Sequence, residues 1–254
     1  MKKRKAGIGI FVIVLIITAV RVKSMDSHRI SGRILAENIA GPGMMRLVEQ
    51  SMQAQAQKTS VTEIAVKEWK HPQAALTFDD GPDIRYTPLL LDGLKERNVR
   101  ASFFLLGEKV EQYPELVERM QKEGHLVGNH TYHHVQLNKL NETKAREEIL
   151  KTNNLIYETT GVYPLYLRPP FGAWKKNLEL CVEMLPVFWT IDTLDWKVQN
   201  TEKIVRTVQE QIEDGAIILM HDEYDTSVEA ALQVADDLKA QGYQLVTVDQ
   251  LILP

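Results

Sequence analysis

From Ala74 to the C-terminus, short apolar runs alternate with amphipathic helical patterns. This alternation is typical of a parallel sheet whose strands are joined by helices. We predict seven strands, over residues 74–78, 101–106, 125–128, 165–168, 187–191, 216–220 and 243–248. Seven such units favour an α/β barrel, and a doubly wound open sheet is the alternative fold.

Polar residues follow most of these predicted strands. The following lie at or just beyond the C-terminal ends of different strands: Asp79 and Asp80, His130, Arg168, Asp192, and His221. In a parallel barrel those ends share one rim, and barrels of this type build their active sites on that rim. We therefore expect residues that are far apart in the sequence to converge there.

The stretch Asp79-Asp80-Gly81-Pro82 ends the first predicted strand with two adjacent carboxylates. Successive side chains on an extended backbone point to opposite faces, so the two acids share one orientation only if the strand breaks. Gly81 and Pro82 supply that break. Taken alone, the same stretch fits a solvated turn as well as it fits a functional site. Beside the other polar strand ends, it predicts two carboxylates with separate roles.

His130 and His134 are four residues apart, a spacing that lets both rings reach one metal ion. Asp80 is the candidate for the third ligand. His133 is an alternative partner for His130, because a spacing of three also permits chelation. Two imidazoles and a carboxylate serve both hydrolytic zinc sites and non-haem iron oxygenases. The neighbouring Asp79 favours the hydrolase, because a second carboxylate suits a base that activates water.

Composition restricts the function classes that remain. A content of 44% hydrophobic and 25% charged residues is ordinary for a globular protein, and one main domain is expected. The net charge of -4 argues against a nucleic-acid partner, which requires a basic surface. Cys181 is the only cysteine, so the chain forms no internal disulfide, and a metal would be held by nitrogen and oxygen atoms.

The N-terminus predicts contact with a membrane, because four basic residues at 2–5 precede an uncharged apolar run over 6–20. A spanning helix needs about 20 apolar residues, whereas the core of a signal peptide takes about 7–15. No Ala-x-Ala cleavage site is present, so we favour an anchor over a secreted form. Residues 1–5 would then be cytoplasmic, 6–22 would span the membrane, and a polar stalk over 23–70 would lie outside with the main domain.

Five sequence blocks together resemble one known family. They cover residues 77–82, 130–134, 168–174, 192–196 and 219–222. In this order they resemble the polysaccharide deacetylase family, also called the NodB-homology domain or carbohydrate esterase family 4. The resemblance implies a distorted (β/α)7 barrel over residues 71–254. It also implies an Asp-His-His metal triad, and its His-Ser/Thr-x-x-His pattern selects His134 rather than His133 beside His130 and Asp80.

The same resemblance implies roles for the other polar residues. Asp79 would be the catalytic base, and Arg168 would pair with it. His221 suits the protonation of a leaving amine, because an imidazole titrates near neutrality. Either Asp195 or Asp192 is a candidate to orient that imidazole and raise its pKa, and the aspartate before the tryptophan, Asp195, matches the family pattern.

The remaining predicted contacts concern the substrate. The backbone N–H of Phe171 is a candidate donor to the oxyanion of a tetrahedral intermediate. The other expected substrate-binding residues are Gly172, Trp174, Trp196 and Leu219, the last in the acetyl pocket. From the sequence alone, each of the large apolar side chains among them fits a position in the core at least as well as a position in a substrate site.

These expectations combine into a metal-dependent N-deacetylase that acts outside the membrane on an N-acetylhexosamine polymer. The predicted cofactor is one divalent metal, Zn²⁺ by default, with Co²⁺ or another transition metal as alternatives. Peptidoglycan is the expected partner glycan, with chitin oligomers and poly-N-acetylglucosamine as alternatives. A non-catalytic wall-binding module is the non-enzymatic alternative. No protein partner is inferable from the sequence.

Overall fold

The computed structural model describes residues 71–174 and 184–252. The strands are β1 Gln73–Asp79, β2 Ser102–Leu105, β3 Leu126–Asn129, β4 Tyr166–Leu167, β5 Leu185–Pro186, β6 Ile191–Asp192, β7 Ala216–His221 and β8 Gln244–Leu245. The helices are α1 Tyr86–Glu96, α2 Gly107–Gln112, α3 Pro114–Lys122, α4 Glu142–Thr160, α5 Asp195–Val198, α6 Thr201–Gln211, α7 Asp225–Ala240 and α8 Val248–Ile252. Short 3-10 turns cover Leu137–Lys139 and Pro170–Gly172.

The predicted membrane segment, the predicted stalk and Cys181 lie outside these described residues. Within residues 71–174 and 184–252, no helix is long and apolar enough to cross a bilayer.

All strand pairings in the sheet are parallel. The strand order is β5-β4-β3-β2-β1-β7-β6, and β8 pairs with the first residues of β1. Because parallel strands point the same way, the C-terminal ends of β1, β3, β4, β6 and β7 share one side of the sheet. The predicted convergence of polar strand ends is therefore present in the fold.

One predicted strand is misplaced. Instead of a strand over 187–191, the chain forms β5 before this stretch and β6 at its end. Val187 N–H still donates to the carbonyl of Leu167 over 2.8 Å, whereas Thr190 N–H donates to the carbonyl of Ile217 over 2.9 Å. The segment thus passes from one edge of the sheet to the other. Because β5 and β6 do not pair within the described residues, the sheet is a parallel half-barrel rather than a closed ladder.

The core explains why the central strand carries an unbroken apolar run. Every residue of β1 is buried, since helices cover both faces of a parallel sheet. Phe78 stacks on Phe103 with ring centroids 5.3 Å apart, and both belong to the main hydrophobic cluster. The helices α1, α6 and α7 contribute twelve of the 27 buried residues in this cluster. Burial of this surface fixes β1, whose last residue is Asp79.

Candidate active site

The loops that follow the strands carry unusual backbone conformations. Seven described residues other than glycine have positive φ angles, and five of them lie in these loops: Asp80, Thr131, His134, Phe171 and Leu194. Such conformations cost about 1–3 kcal/mol each for residues with a Cβ, and they cluster where function requires them. The distribution therefore marks this end of the sheet as the candidate functional site.

Asp80, His130 and His134 form a candidate metal centre. One ligand atom from each residue lies within 4.8 Å of the other two. Asp80 Oδ1 is 3.3 Å from His130 Nε2 and 3.5 Å from His134 Nε2. That oxygen is enclosed and accepts no hydrogen bond from the described chain. A buried carboxylate oxygen without a donor, facing two imidazole nitrogens, fits a divalent cation.

The surroundings hold these three residues in the protonation states that a ligand requires. His130 Nδ1 lies 2.7 Å from the carbonyl of Arg168, so Nδ1–H donates and Nε2 keeps its lone pair toward Asp80. Burial lowers the pKa of His134, which favours the neutral imidazole. Burial acts to raise the pKa of Asp80, but the neighbouring imidazoles, His130 first, hold it well below its usual range.

His133 lies outside this cluster. Its Nδ1 is 2.8 Å from Glu148 Oε1, and its main-chain N–H donates to Glu148 Oε2 over 2.9 Å. The His133 side chain is 57% exposed. Of the two sequence alternatives, the structure therefore brings His134, and not His133, to His130 and Asp80.

Asp79 and Arg168 make the predicted contact. Arg168 is fully buried, and its Nη1 donates to Asp79 Oδ1 over 2.8 Å and to Thr77 Oγ1 over 2.7 Å. The other carboxylate oxygen, Asp79 Oδ2, is 3.8 Å from His130 Nε2 and so lies toward the metal centre. One oxygen of Asp79 is thus fixed, and the other is directed at the cavity.

His221 pairs with Asp195 rather than with Asp192. His221 Nδ1 lies 2.8 Å from Asp195 Oδ1, whereas Asp192 accepts a hydrogen bond from Leu194 N–H. Burial acts to lower the pKa of His221, but the hydrogen bond and charge of Asp195 outweigh it and raise the pKa to about 9. The imidazole is therefore protonated at neutral pH. Its Nε2 is 3.8 Å from Asp80 Oδ2, on the cavity side.

A cavity of about 510 Å³ joins these groups. Of the predicted substrate contacts, it is lined by Phe171, Trp196 and Leu219. The Phe171 and Trp196 side chains are 63% and 49% exposed, whereas Leu219 is buried. The Phe171 N–H has no hydrogen-bond acceptor within the described residues.

Two predicted substrate residues, Gly172 and Trp174, are not part of the cavity lining, and their roles in substrate binding stay predictions. Trp174 packs against the apolar cluster that includes Leu137 and Ile149. At Gly172, an added Cβ would sit 3.3 Å from the Trp189 ring. Trp174 therefore makes the apolar contacts of a core residue instead of lying exposed on the rim.

The cavity also contains residues that the sequence analysis missed, namely Trp189, Glu223 and Tyr224. Glu223 and Tyr224 lie two and three residues beyond the end of β7, so their position after a polar strand end was a usable signal. Trp189 falls in the segment between β5 and β6, which was predicted to be a strand. No sequence signal distinguished it from a core residue.

Known proteins share this sequence and geometry. Residues 67–188 match the family described as Polysaccharide deacetylase. Over 177 residues, or 70% of its length, the chain is 43% identical to peptidoglycan-N-acetylglucosamine deacetylase PgdA of Listeria monocytogenes. It spans only 38% of the length of that relative.

Solved structures agree with this match. The structure of peptidoglycan deacetylase PdaC from Bacillus subtilis is similar with a TM-score of 0.70 and 43% identity, over 72% of this chain and 91% of that one. The curated name of PdaC is peptidoglycan-N-acetylmuramic acid deacetylase. A CE4 family pseudoenzyme from Bacillus anthracis is similar with a TM-score of 0.67 and 29% identity, over 72% of this chain and 66% of that one. The chain belongs to the polysaccharide deacetylase family.

Proposed function

We propose that this protein is a metal-dependent N-deacetylase that removes acetyl groups from N-acetylglucosamine in peptidoglycan. One observation carries the proposal: a cation site, a carboxylate held by Arg168 and an imidazole held by Asp195 all face one cavity. Each group supplies a different requirement of amide hydrolysis. The family membership and the names of PgdA and PdaC support this reaction class.

The metal would be held by Asp80, His130 and His134. When bound, a divalent cation supplies Lewis acidity, which activates a water molecule and polarises the acetamide carbonyl. We favour Zn²⁺, because two imidazoles and one carboxylate leave room for water and substrate in its coordination shell. Co²⁺ and other transition metals are the alternatives.

Asp79 would act as the general base. Its Oδ1 is committed to Arg168, so Oδ2 is the atom that takes the proton from the attacking water. The pair with Arg168 holds the carboxylate in one orientation, which keeps Oδ2 aimed at the cavity. The carbon–oxygen bond then forms at the acetamide carbonyl, and the Phe171 N–H would donate to the resulting oxyanion.

His221 would act as the general acid. Its protonated imidazole donates from Nε2 to the amide nitrogen as the carbon–nitrogen bond breaks, and Asp195 stabilises the imidazolium before transfer. The products are acetate and a free amino sugar. Leu219, buried at the floor of the cavity, suits the methyl group of the departing acetyl.

The exposed rings of Phe171 and Trp196 suit the apolar faces of a sugar. We assign the acetylated sugar as N-acetylglucosamine of peptidoglycan, and chitin oligomers and poly-N-acetylglucosamine are the alternatives. Mass spectrometry of acetate loss from wall muropeptides and chitin oligomers tests this assignment. Acetate loss confined to N-acetylmuramic acid would contradict it.

The rival reaction class is that of an iron oxygenase, which uses the same ligand types. Under the hydrolase proposal, acetate release proceeds with Zn²⁺ or Co²⁺ and needs no oxygen, reductant or keto acid. Strict dependence on iron and oxygen would overturn the proposal. The pseudoenzyme neighbour makes a non-catalytic wall-binding module a second rival, and total absence of acetate release with every metal and glycan would favour it.

We further propose that residues 6–22 anchor the protein in the membrane and that the main domain lies outside, in contact with the wall. The basic residues at 2–5 and the apolar run that follows support this orientation. Protease added to intact cells should remove the main domain. A domain that stays protected, or a secreted form that lacks residues 1–19, would contradict the proposal.

A further inference from the structure

The segment that carries both histidines of the candidate metal centre has a strained backbone. We call residues 130–134 the histidine loop. Two of its residues, Thr131 and His134, have positive φ angles of 68° and 54°. Such conformations are unfavourable for residues with a Cβ, and they persist only where the surrounding structure imposes them. The position of His134 beside Asp80 therefore depends on contacts that the histidine loop makes with the rest of the domain.

Glu148 of α4 supplies the acceptors for these contacts. Its Oε2 accepts from the main-chain N–H of Tyr132 over 3.0 Å and from that of His133 over 2.9 Å. Its Oε1 lies 2.8 Å from His133 Nδ1. The Glu148 side chain is 16% exposed, and hydrogen bonds to a carboxylate are roughly twice as strong as those between neutral groups. One side chain thus fixes the two residues that lie between the strained positions.

The start of α2 supplies the donors. Gly107 N–H donates to the carbonyl of Thr131 over 3.0 Å. Glu108 N–H donates to the carbonyl of Tyr132 over 3.3 Å. An added Cβ at Gly107 would clash with the Tyr132 ring, so the histidine loop packs directly on the start of α2. Helix α2 therefore holds the loop by its carbonyls, and Glu148 holds it by its N–H groups.

Asn129, the last residue of β3, holds the beginning of the loop. Its Oδ1 accepts from Thr131 N–H over 2.6 Å. Its Nδ2 donates to Asn153 Oδ1 over 2.7 Å and to the carbonyl of Ile149 over 2.9 Å, both in α4. Asn129 and Asn153 are fully buried, so a substitution of either would disturb the core of the fold. Glu148 is partly exposed and can be changed with less effect on the core.

We propose that Glu148 is a positioning residue of the metal centre, which holds the histidine loop so that His134 Nε2 faces Asp80 Oδ1. Glu148 is neither a candidate ligand nor part of the cavity lining. Without its contacts, binding of the cation would also have to order the loop, and that ordering lowers affinity. The inference rests on the proposed function only through the metal centre. It goes further, because it assigns part of the cation affinity to a residue outside the coordination shell.

The two oxygens of Glu148 have different roles. Oε2 bonds to main-chain atoms, so it fixes the backbone whatever side chain stands at position 133. Oε1 bonds to the His133 ring, which is an exposed side chain. Loss of that ring leaves the contacts of Oε2 in place. Glu148, and not His133, is therefore the residue whose removal should weaken the metal centre.

The test is a titration of the full chain with Zn²⁺ in detergent, after removal of metal by chelation. Glu148→Ala removes both acceptors and should weaken Zn²⁺ binding by about 10–100-fold, the range typical of residues that support metal ligands from outside the coordination shell. The matched control is Glu147→Ala, which removes the same charge from the neighbouring exposed position of α4 and should bind like the parent. Equal affinity in Glu148→Ala and the parent would overturn the proposal.

The conservative variant separates positioning from charge. Glu148→Gln loses the charge but keeps a side-chain oxygen that can accept from both main-chain N–H groups. Its affinity for Zn²⁺ should lie closer to that of the parent than to that of Glu148→Ala. An affinity as low as that of Glu148→Ala would mean that the charge alone matters, and it would overturn the positioning role.

Amide hydrogen exchange in the metal-free protein separates positioning from general stability. In Glu148→Ala the N–H groups of Tyr132 and His133 should exchange faster, whereas those of β1 should keep their protection, because local opening need not involve the core. Loss of protection in β1 to the same extent would mean a general loss of stability and would contradict the proposal.

Metal binding also distinguishes this inference from the proposed function. A parent protein that binds Zn²⁺, loses affinity in Glu148→Ala and yet releases no acetate would contradict only the deacetylase proposal. A parent that releases acetate and binds Zn²⁺ no better than Glu148→Ala would contradict only the role of Glu148. A parent that binds no divalent metal would contradict both.

Discussion

His221 and Asp195 are joined by two contacts of 2.8 Å, one through the imidazole Nδ1 and one through the main-chain N–H of His221. Asp195 is fully buried at the start of α5, so the contact orients the ring as well as charging it. The pH dependence of turnover should report this pair.

The acid acts in its protonated form, so activity is present below the raised pKa and is lost as pH rises through about 9. Asp195→Asn removes the negative charge that raises the pKa of His221. Burial, which lowers this pKa, is then opposed less strongly. The alkaline limb of kcat should move down toward the ordinary imidazole pKa of about 6.5. Asp192→Asn is the matched control, because Asp192 bonds to Leu194 N–H instead. A limb that stays near 9 in Asp195→Asn would exclude His221 as the acid.

Asp79 and Asp80 are chemically identical side chains with different surroundings, and two substitutions should separate their roles. Asp80→Ala should lower metal content, because it removes one of three candidate ligands. Asp79→Asn should keep the metal but lower kcat by about 10²–10⁴-fold, because the amide takes no proton. Metal analysis and kinetics measure both effects. Metal loss in Asp79→Asn with metal retained in Asp80→Ala would reverse the assignment.

His133 and His134 provide a second matched pair. His134→Ala should weaken Zn²⁺ binding in a direct titration, because His134 Nε2 faces Asp80 Oδ1. His133→Ala should leave the stoichiometry and affinity unchanged, because that ring contacts Glu148. If His133→Ala alone released the metal, the ligand assignment would be wrong.

Arg168 should be essential for stability as well as for turnover. Arg168→Met leaves the buried Asp79 carboxylate without its partner, and breaking a buried pair costs about 3–5 kcal/mol. The free energy of unfolding of the metal-free protein, from urea denaturation, should fall by about that amount. Asp79→Asn added to Arg168→Met should recover part of the loss. A cost below about 1 kcal/mol for the single change would contradict the argument.

The convergence of these residues could be predicted from the sequence, because it follows from a geometric rule for parallel sheets. Parallel strands put their C-terminal ends on one side, so Asp79, His130 and His221 converge whatever the details of the loops. No geometric rule of this kind decides between His133 and His134, since either spacing can chelate. Only the resemblance to the family pattern selected His134. The choice depends on a loop with positive φ at Thr131 and His134, and on Glu148 in α4.

The misplaced strand had a different cause. The run Val187-Phe188-Trp189-Thr190-Ile191 is rich in residues that favour strands, and that preference does not tell which edge of a sheet a residue joins. In the structure its ends pair with opposite edges, and Trp189 lines the cavity between them. Trp174 packs against an apolar cluster, and its predicted role in substrate binding stays a prediction.

Arg168 contributes two different parts of itself to the site. Its side chain fixes Asp79, and its carbonyl accepts from His130 Nδ1, at 2.8 Å and 2.7 Å respectively. A shift of Arg168, which directly follows β4, would therefore disturb the proposed proton acceptor and a candidate metal ligand at the same moment. Cation retention and turnover are expected to fail in parallel, as a single unit.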